Sequence, residues 1–500
     1  MLAGGVLGVL SVLGAYLGVV TSLAATPVET IVQVDTTQDL AAPSAGAPCT
    51  SPCSLRHAVQ FANAAAPDQA TVINVPAGDY VLTIPPVAGT DTDAAGDLEL
   101  RQRTRLVGAG AGKTIIEQDA GVTDRVMTIS RQAIVSGVTI RNGRALPNEL
   151  GGGILVHYFG QLELIDSVVS HNSALGQGSA SGGRGGGIAV QLFSSQPTVL
   201  RNVTVTDNQA DAMGAGVWTD TIVTILGSTI NANTCQRGCV GGGVYSSAYL
   251  TMTNDTIDGN LADQGGGVYS DAAHALLRNV TLSSNAVRGP AARGVLNGAA
   301  VYATSSDPAT YGLTLANSII SGNPLDECGP VVDPAASPGR AVLSGGSNIE
   351  DGATCLFTGP GDKPLTDAKL GALTDNGGGT RTRAIGPGSP AIDAGLAACP
   401  PPARDQRGVI RANAGSGTGS ACDIGAYEYQ VAAAAATPAP AATSVVRDVV
   451  VYVPYTPRLP AAGAPLRRGA TWRSAAGPVA ALVLGTLILL APVAYHMARR

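Results

Sequence analysis

The amino-acid sequence predicts an all-β solenoid, a rod of stacked coils in which each coil leans on its neighbours. The 500 residues include 65 glycines, and only 4% are aromatic, so the chain lacks the large side chains of a thick globular core. A glycine-rich unit, such as GGGVYSSAYLTMTNDTIDGN at 241–260, recurs with a period of about 25 residues, as repeat architectures do. The sequence therefore predicts one stacked repeat over most of its length.

Residues 1–25 form a hydrophobic segment that is typical of a signal peptide. Residues 2–24 are almost wholly apolar and end in Ser22-Leu23-Ala24, which suits signal peptidase. Because no Lys or Arg precedes Arg56, an uncleaved membrane anchor is the alternative interpretation. Both interpretations predict export.

The stretch from Cys53 to Asn63 predicts a short amphipathic helix. Its apolar residues recur on one face at helical spacing: Leu55, Ala58, Val59 and Ala62. A solenoid needs a cap over its first exposed strand edges, and this helix is placed to supply it.

The same stretch, CSLRHA at 53–58, resembles the CSLREA motif, with His57 where that motif has Glu. The stretches VPAGDY at 75–80, GDL at 96–98 and LVGAG at 106–110 fit as well. This resemblance covers most of residues 30–430. It implies an exported right-handed parallel β-helix of the pectin-lyase-like type, with repeats similar to those of polymorphic outer membrane proteins. Residues 26–110 are then the N-terminal cap and first coils, and residues 111–343 are the β-helix repeats.

An asparagine closes each coil of the repeat, at Asn172, Asn208, Asn233, Asn260, Asn285 and Asn323. We interpret this column as a sharp turn, because asparagine tolerates left-handed backbone. Apolar residues stand three and eight positions earlier, as Ile257 and Met252 do before Asn260, and these two columns predict the inward-facing core.

A second polar column stands six positions before the closing asparagine: Asp166, Asn202, Gly227, Asn254, Asn279 and Asn317. It predicts a partial side-chain amide ladder. The period of the repeat suits three short strands and three turns per coil. Because parallel strands pair about 4.8 Å apart, roughly ten coils would make a rod about 50 Å long.

An outward-facing column of aromatic residues, Trp218, Tyr245, Tyr269 and Tyr302, is the candidate ligand-binding stripe. Strand alternation turns these side chains away from the Ile/Val column that precedes them. Rows of flat aromatic rings are platforms for sugars. The competing interpretation, which we favour, is a stacking ladder that stabilises the coils without binding a ligand.

A β-helix enzyme acting on polysaccharides is the competing functional class. Hydrolysis needs two carboxylates across one groove, and β-elimination needs a base and commonly calcium. The candidate acids scatter over different columns: Asp207, Asp220, Asp255, Asp258 and Asp271. His157 and His171 have no obvious acid partner in the sequence. We therefore predict no catalytic residue, no metal site and no cofactor.

The eight cysteines fall into four local pairs: Cys49/Cys53, Cys235/Cys239, Cys328/Cys355 and Cys399/Cys422. An even number of cysteines in an exported chain favours disulfides. A zinc site is the alternative, but it needs four converging ligands, and no pair has a His–Cys cluster beside it.

Residues 344–430 resemble the choice-of-anchor Q module, in the stretches DNGG at 375–378, SPAIDAG at 389–395, DQRG at 405–408 and CDIGAYE at 422–428. The resemblance implies a terminal element that closes the open end of the rod. We interpret Asp393, Asp405 and Asp423 with Arg407 as a structural set of ion pairs and turns, with a calcium site as the alternative.

Residues 431–474 are an Ala/Pro-rich linker, and residues 475–495 are a predicted transmembrane helix, since an apolar run of about 20 residues can cross a bilayer. The net charge of −6 without blocks of like charge argues against nucleic-acid binding. The prediction is an exported monomer, anchored in the cytoplasmic membrane by one C-terminal span, with the β-helix extracellular. Its predicted role is adhesion or binding of a polysaccharide or another cell-surface ligand. The alternative is a polysaccharide lyase or glycoside hydrolase.

Overall fold

The computed structural model describes residues 29–430 except for 68, 88–92, 177–181, 192–196, 237, 272–273, 289–296, 305–311, 330–340, 397–402 and 412–420. The signal-like segment, the linker and the predicted transmembrane helix lie outside the described residues. Within the part that is described, no helix is both long enough and apolar enough to cross a membrane.

The chain winds through four parallel sheets, which each complete coil visits in the same order. The first sheet has the strands Leu98–Leu100, Met127–Ile129, Ile154–Val156, Ile188–Val190, Val217–Thr219, Val244–Ser246, Val268–Asp271, Val301–Thr304 and Cys328–Gly329. The second has Glu29–Gln33, Ala70–Val75, Thr104–Gly108, Gln132–Ser136, Gln161–Ile165, Thr198–Arg201, Val223–Leu226, Leu250–Thr253, Ala275–Arg278, Leu313–Ala316 and Val342–Ser344. The predicted β-solenoid is confirmed.

The third sheet has the strands Gly78–Leu82, Thr114–Gln118, Thr139–Arg141, Val168–Ser170, Thr204–Thr206, Thr229–Asn231, Thr256–Asp258, Thr281–Ser283, Ile319–Ser321 and Ile349–Glu350. The fourth has Arg144–Ala145, Ser173–Ala174, Gln209–Ala210, Thr234–Cys235, Leu261–Ala262 and Ala286–Val287. The prediction of three strands per coil was wrong for these coils. Residues after the closing asparagine also pair with the coil before them: the Gln209 amide donates to the Asn172 carbonyl at 2.9 Å.

The interior of the rod is a continuous apolar core. The two predicted core columns are confirmed, because every member is at most 1% exposed: Leu164, Val169, Leu200, Val205, Ile225, Ile230, Met252, Ile257, Leu277, Leu282, Leu315 and Ile320. Parallel strands in register place each such side chain on the equivalent side chain of the next coil, as Ile230 lies on Ile257. Most of the hydrophobic stabilisation therefore comes from contacts between coils.

The two polar columns have partly exchanged the roles that the sequence predicts. The closing asparagines form a buried amide ladder: the Asn233 side-chain nitrogen donates to the Asn260 Oδ1 at 2.9 Å, and Asn260 donates to Asn285 at the same distance. The left-handed residue stands one position before each of them, as at Gly259 (φ 64°). An asparagine inside the rod supplies both donor and acceptor, so its stacking satisfies backbone groups that a turn leaves unpaired.

The earlier polar column is the second left-handed turn. Its members have positive φ, from 47° at Asp166 to 63° at Gly227. It also contains the predicted partial ladder, since Asn317 donates to Asn279 at 2.8 Å and Asn279 to Asn254 at 3.2 Å. The prediction of a partial ladder here is confirmed.

The N-terminal helix spans Leu55–Asn63, and Ser54 caps it by accepting a hydrogen bond from the His57 amide at 3.1 Å. Its predicted apolar face is buried. Asn63 at its end donates to the Glu99 carbonyl at 2.7 Å and accepts from the Arg101 amide at 2.9 Å. Because Glu99 lies in the first strand of the first sheet, the helix covers that edge, as predicted.

Three of the predicted disulfides are formed: Cys49–Cys53, Cys235–Cys239 and Cys328–Cys355. Cys422 is also disulfide-bonded, whereas Cys399 lies outside the described residues.

The C-terminal module does not simply close the end of the rod, so that prediction was wrong for most of its length. Phe357 packs into the end of the core, but the later residues run back along the side of the coils. Thr380 donates to the Gly227 carbonyl at 2.8 Å, and Asn254 donates to the Arg404 carbonyl at 2.7 Å. The left-handed turn column leaves amide and carbonyl groups facing outward, and the module pairs with them.

Inside the module, Leu370–Thr374 and Thr382–Ile385 form an antiparallel hairpin. Arg407 pairs with Asp405 at 2.7 Å, and Asp423 accepts from the Asp393 amide at 2.8 Å. The structural interpretation of these acids is therefore confirmed.

Candidate functional site

The aromatic stripe (Trp218, Tyr245, Tyr269 and Tyr302) lies in register on four neighbouring strands of the first sheet. The Tyr245 and Tyr269 rings are 5.4 Å apart at 16°, and those of Tyr269 and Tyr302 are 4.8 Å apart at 14°. The rings therefore stack along the rod, each covering the flat face of the next.

Most of the stripe is buried, in a hydrophobic cluster that is separate from the core inside the rod. Trp218 is 4%, Tyr245 5% and Tyr302 8% exposed, and Met213 and Val240 pack against the cluster. The Tyr245 hydroxyl donates to Asp271 at 2.8 Å, and burial raises the pKa of Tyr245. This geometry favours the stacking ladder, because a sugar ring needs an exposed aromatic face. Ligand binding by the stripe stays a prediction.

A polar groove crosses neighbouring coils on the other side of the glycine-rich turns, where the fourth sheet begins. Its cavity volume is about 440 Å³. We define the polar groove by its lining residues: Gln118, Ala120, Asn142, Arg144, His171, Asn172, Ser173, Asp207 and Gln209.

Two columns of the repeat place the side chains of the groove. Asn142, His171 and Asp207 occupy the left-handed position before the asparagine ladder, with φ of 62°, 56° and 56°. Ser173 and Gln209 pair with one another on neighbouring strands of the fourth sheet. The ladder beneath is buried and rigid, so these side chains are held at the spacing of the coils.

Two buried polar atoms of the groove have no hydrogen-bond partner: Gln118 Oε1 and Arg144 Nε. In the same guanidinium, Arg144 Nη2 donates to the carbonyls of Asp119 at 2.8 Å and Ala120 at 2.7 Å. Gln118 is 2% exposed, and its amide nitrogen donates to the Arg125 carbonyl. Both atoms are buried beneath the groove, and the exposed lining groups are those of Asn142, His171, Asp207 and Gln209.

The structure brings His171 and Asp207 into this one groove, although the sequence assigned His171 no acid partner. The other candidate acids serve the scaffold. Asp258 pairs with Arg383 of the C-terminal module, and Asp271 accepts from Tyr245 and Thr304. Asp255 is wholly buried, which raises its pKa, and it accepts from the Ser228 amide at 2.7 Å.

The remaining sequence candidates lie away from the polar groove. His157 contacts Tyr158 edge-on at 4.8 Å, and Asp220 directly follows the first-sheet strand Val217–Thr219. Neither is among the residues that line the groove.

Sequence reasoning missed Gln118, Arg144 and Gln209 as site residues. A signal for the groove was present in the position before the closing asparagine. That position is polar in the early coils, at His171 and Asp207 and at Asn142, where Gly143 takes the place of the closing asparagine. It is mostly small later, at Ala232, Gly259, Ser284 and Gly322. Small residues can form this turn in the later coils. Polar side chains in the same column of the early coils therefore indicate a surface with a role besides forming the turn.

A second cavity, of about 380 Å³, lies on the seam between the rod and the C-terminal module. Its arginines are largely engaged within the protein, because Arg407 pairs with Asp405 and Arg404 donates to the Gly408 carbonyl at 2.6 Å. It is the weaker candidate for that reason.

Comparison with known proteins agrees with this architecture. Residues 152–358 match the family model "Right handed beta helix region". The resemblances to the CSLREA motif and the choice-of-anchor Q module are outside that match and stay predictions. No curated protein matches the chain.

Among solved structures, the chain is similar to the A-module of the mannuronan C-5 epimerase AlgE4 of Azotobacter vinelandii. The two share 16% sequence identity over 52% of this chain and 88% of that chain, with a TM-score of 0.22. A likeness at this level supports no inference about the site.

Proposed function

We propose that the protein is an exported, membrane-anchored β-helix that binds a polysaccharide in the polar groove. The observation that carries this proposal is the row of exposed polar side chains, among them Asn142, Asp207 and Gln209, that line one open groove at the spacing of the coils. A sugar hydroxyl both donates and accepts, so one ligand class can hydrogen-bond with the amides and the carboxylate alike.

The other lining groups support the same ligand class. Asn142, Ser173, Asp207 and Gln209 offer amides, a hydroxyl and a carboxylate, which are the groups that fix sugar orientation. They recur at the spacing of the coils, so an extended chain of sugar rings can meet equivalent groups in succession. Arg144 and Asp207 carry opposite charges, so the groove predicts no particular charge for the ligand.

The test is a glycan array with the full-length chain, followed by calorimetry on the strongest neutral or acidic polysaccharide. The double variant Asp207→Asn/Gln209→Ala removes groove contacts and keeps a residue that tolerates the left-handed turn at 207. We expect at least tenfold weaker binding, since each lost hydrogen bond is worth about 0.5–1.5 kcal/mol.

The matched control is Ala232→Asn/Thr234→Ala, which alters the same two columns one coil further on, outside the groove. It should bind as the wild type does. Equal affinity of the groove variant and the wild type would sink the proposal. If instead Tyr245→Ala alone abolished binding, the aromatic stripe would be the site.

Polysaccharide cleavage is the second candidate function, and the juxtaposition of His171 and Asp207 in one groove favours it. Asp207 is the single carboxylate among the described lining residues, so the two-carboxylate chemistry of hydrolysis lacks its second group there. β-Elimination needs one base, for which His171 is the candidate. New unsaturated ends released by the wild type, and not by Asp207→Asn or His171→Asn, would establish a lyase.

The proposed location rests on the hydrophobic segments 1–25 and 475–495. The β-helix would lie outside the cell, tethered to the cytoplasmic membrane through the linker 431–474. The three disulfides support an oxidising location. External protease should digest the β-helix on intact cells while the protein fractionates with membranes; full protection would contradict the proposal.

A further inference from the structure

Three acidic residues gather at the C-terminal end of the rod: Glu327, Glu350 and Asp351. We call them the acidic end cluster. Glu327 directly precedes the last strand of the first sheet, and Glu350 ends the last strand of the third sheet. They come from two different sheets of the last coil. None of the ion pairs found among the described residues involves these carboxyls.

The two glutamates are deeply buried and incompletely bonded. Glu327 is 2% exposed and Glu350 is fully buried. Glu350 Oε1 accepts from the Cys355 amide at 2.8 Å, and Glu327 Oε2 accepts from the Gly352 amide at 3.4 Å. Their other oxygens, Glu327 Oε1 and Glu350 Oε2, have no hydrogen-bond partner. A buried ionised carboxylate without a partner costs several kcal/mol.

The donor atoms converge on one point. Ligand atoms of Glu327, Glu350 and Cys355 lie within 4.8 Å of one another. Cys355 is bonded to Cys328, so its sulfur is not a thiolate and does not act as a soft ligand. What remains is oxygen: the two carboxylates and the hydroxyl of Thr354, which donates to Glu350 Oε1 at 3.3 Å, with the Asp351 carboxyl beside Glu327.

We propose that the acidic end cluster binds a calcium ion, held chiefly by Glu327 Oε1 and Glu350 Oε2. Calcium takes oxygen ligands from carboxylates in flexible geometry, which suits side chains from different sheets. Asp351 is exposed and offers the route of entry. The proposal departs from the expectation of no metal site. The spacing of these residues along the sequence does not predict such a site.

Calcium at this position would lock the end of the rod. Glu350 holds the segment that includes Thr354 and Cys355, and the Glu327 amide donates to Thr354 Oγ1 at 3.0 Å. The ion would tie this segment to the first and third sheets of the last coil. Phe357, two residues after Cys355, packs into the core. Without it, burial raises the pKa of Glu327 to about 10, and the carboxyl would instead be held neutral.

The test uses the full-length chain, stripped of metal with a chelator and titrated with calcium alone. We expect one calcium ion to bind by calorimetry and the melting temperature to rise by about 3 °C or more. Glu350→Gln and Glu327→Gln keep the shape and remove the charge. Each should weaken calcium binding at least tenfold.

The control variant is Glu29→Gln, an exposed glutamate in the first strand of the second sheet, which should bind calcium as the wild type does. Circular dichroism shows whether the variants are folded before binding is compared. The proposal is overturned if the stripped wild type binds no calcium at millimolar concentration. It is also overturned if the Glu327→Gln/Glu350→Gln double variant binds as well as the wild type. A wild type that is stabilised by acid and indifferent to calcium would identify a protonated pair instead.

Discussion

Replacing Arg411 with alanine is expected to lower the free energy of unfolding by about 3–5 kcal/mol, the usual result of removing one partner of a buried ion pair. The Arg411 side chain is fully buried and pairs with Glu428 at 3.1 Å. It also donates to Asn254 Oδ1 at 3.0 Å and to the Gly425 carbonyl at 2.8 Å. One guanidinium thus joins the C-terminal module to the turn column of the rod.

Chemical denaturation measures this loss, and hydrogen exchange locates it in residues 403–411 and 421–428. The control is Arg404→Ala, an exposed arginine of the same module, for which we expect a change within about 0.5 kcal/mol. Similar stability of Arg411→Ala and Arg404→Ala would mean that the buried contacts of Arg411 do not hold the module.

Replacing Asn260 with alanine is expected to lower the free energy of unfolding by about 3–5 kcal/mol. Its side chain accepts from the Asn233 amide and side chain at 3.0 and 2.9 Å, and donates to the Ile230 carbonyl and to Asn285, both at 2.9 Å. Alanine leaves the Asn233 amide unpaired, which costs about 1–3 kcal/mol, and it removes three further hydrogen bonds worth about 0.5–1.5 kcal/mol each. The Asn233 side chain keeps its bond to the Val205 carbonyl, and Asn285 Oδ1 still accepts from the amide of residue 260. Denaturant titration at constant pH measures the change.

Asn231→Ala is the matched control, because Asn231 is the same residue type in a neighbouring coil and its side chain is only partly buried. It should change the free energy of unfolding by less than about 0.5 kcal/mol. Equal losses in the two variants would contradict the importance of the ladder.

Different surfaces of the rod have different roles. The aromatic stripe, the asparagine ladder and the seam with the module stabilise the coils, and the polar groove is the face that presents exposed polar side chains to solvent. This division explains why large aromatic residues are poor guides to function here. In a repeat, the flat face of an aromatic side chain can be covered by the equivalent side chain of the next coil, so it needs no ligand.

The columns of the repeat could be predicted from the sequence because each coil carries the same pattern. Met252 and Ile257 were placed in the core by position alone, and the helix Leu55–Asn63 was placed by its apolar face and its cap. The roles of the two asparagine columns were harder to predict. Asparagine suits both a left-handed turn and a buried ladder, so Asn254 and Asn260 are alike in sequence and differ in structure.

Contacts between segments that are far apart in the sequence could not be predicted from it. The pairing of Asp258 with Arg383 spans 125 residues, and that of Asn254 with Arg411 spans 157. Nothing local to either residue specifies such a partner. The prediction that the module closes the rod failed for this reason, since its docking surface exists only when the turn columns of several coils are assembled.

By itself, the sequence determined the solenoid, its core columns and its capping helix, because these follow from a periodicity that every coil repeats. The tertiary structure alone decided which outward residues meet. It buried most of the aromatic stripe, brought His171 and Asp207 into one groove, and gathered Glu327 and Glu350 from different sheets of the last coil. Such meetings depend on register across coils and on long-range packing, and neither is written in the spacing of residues along the chain.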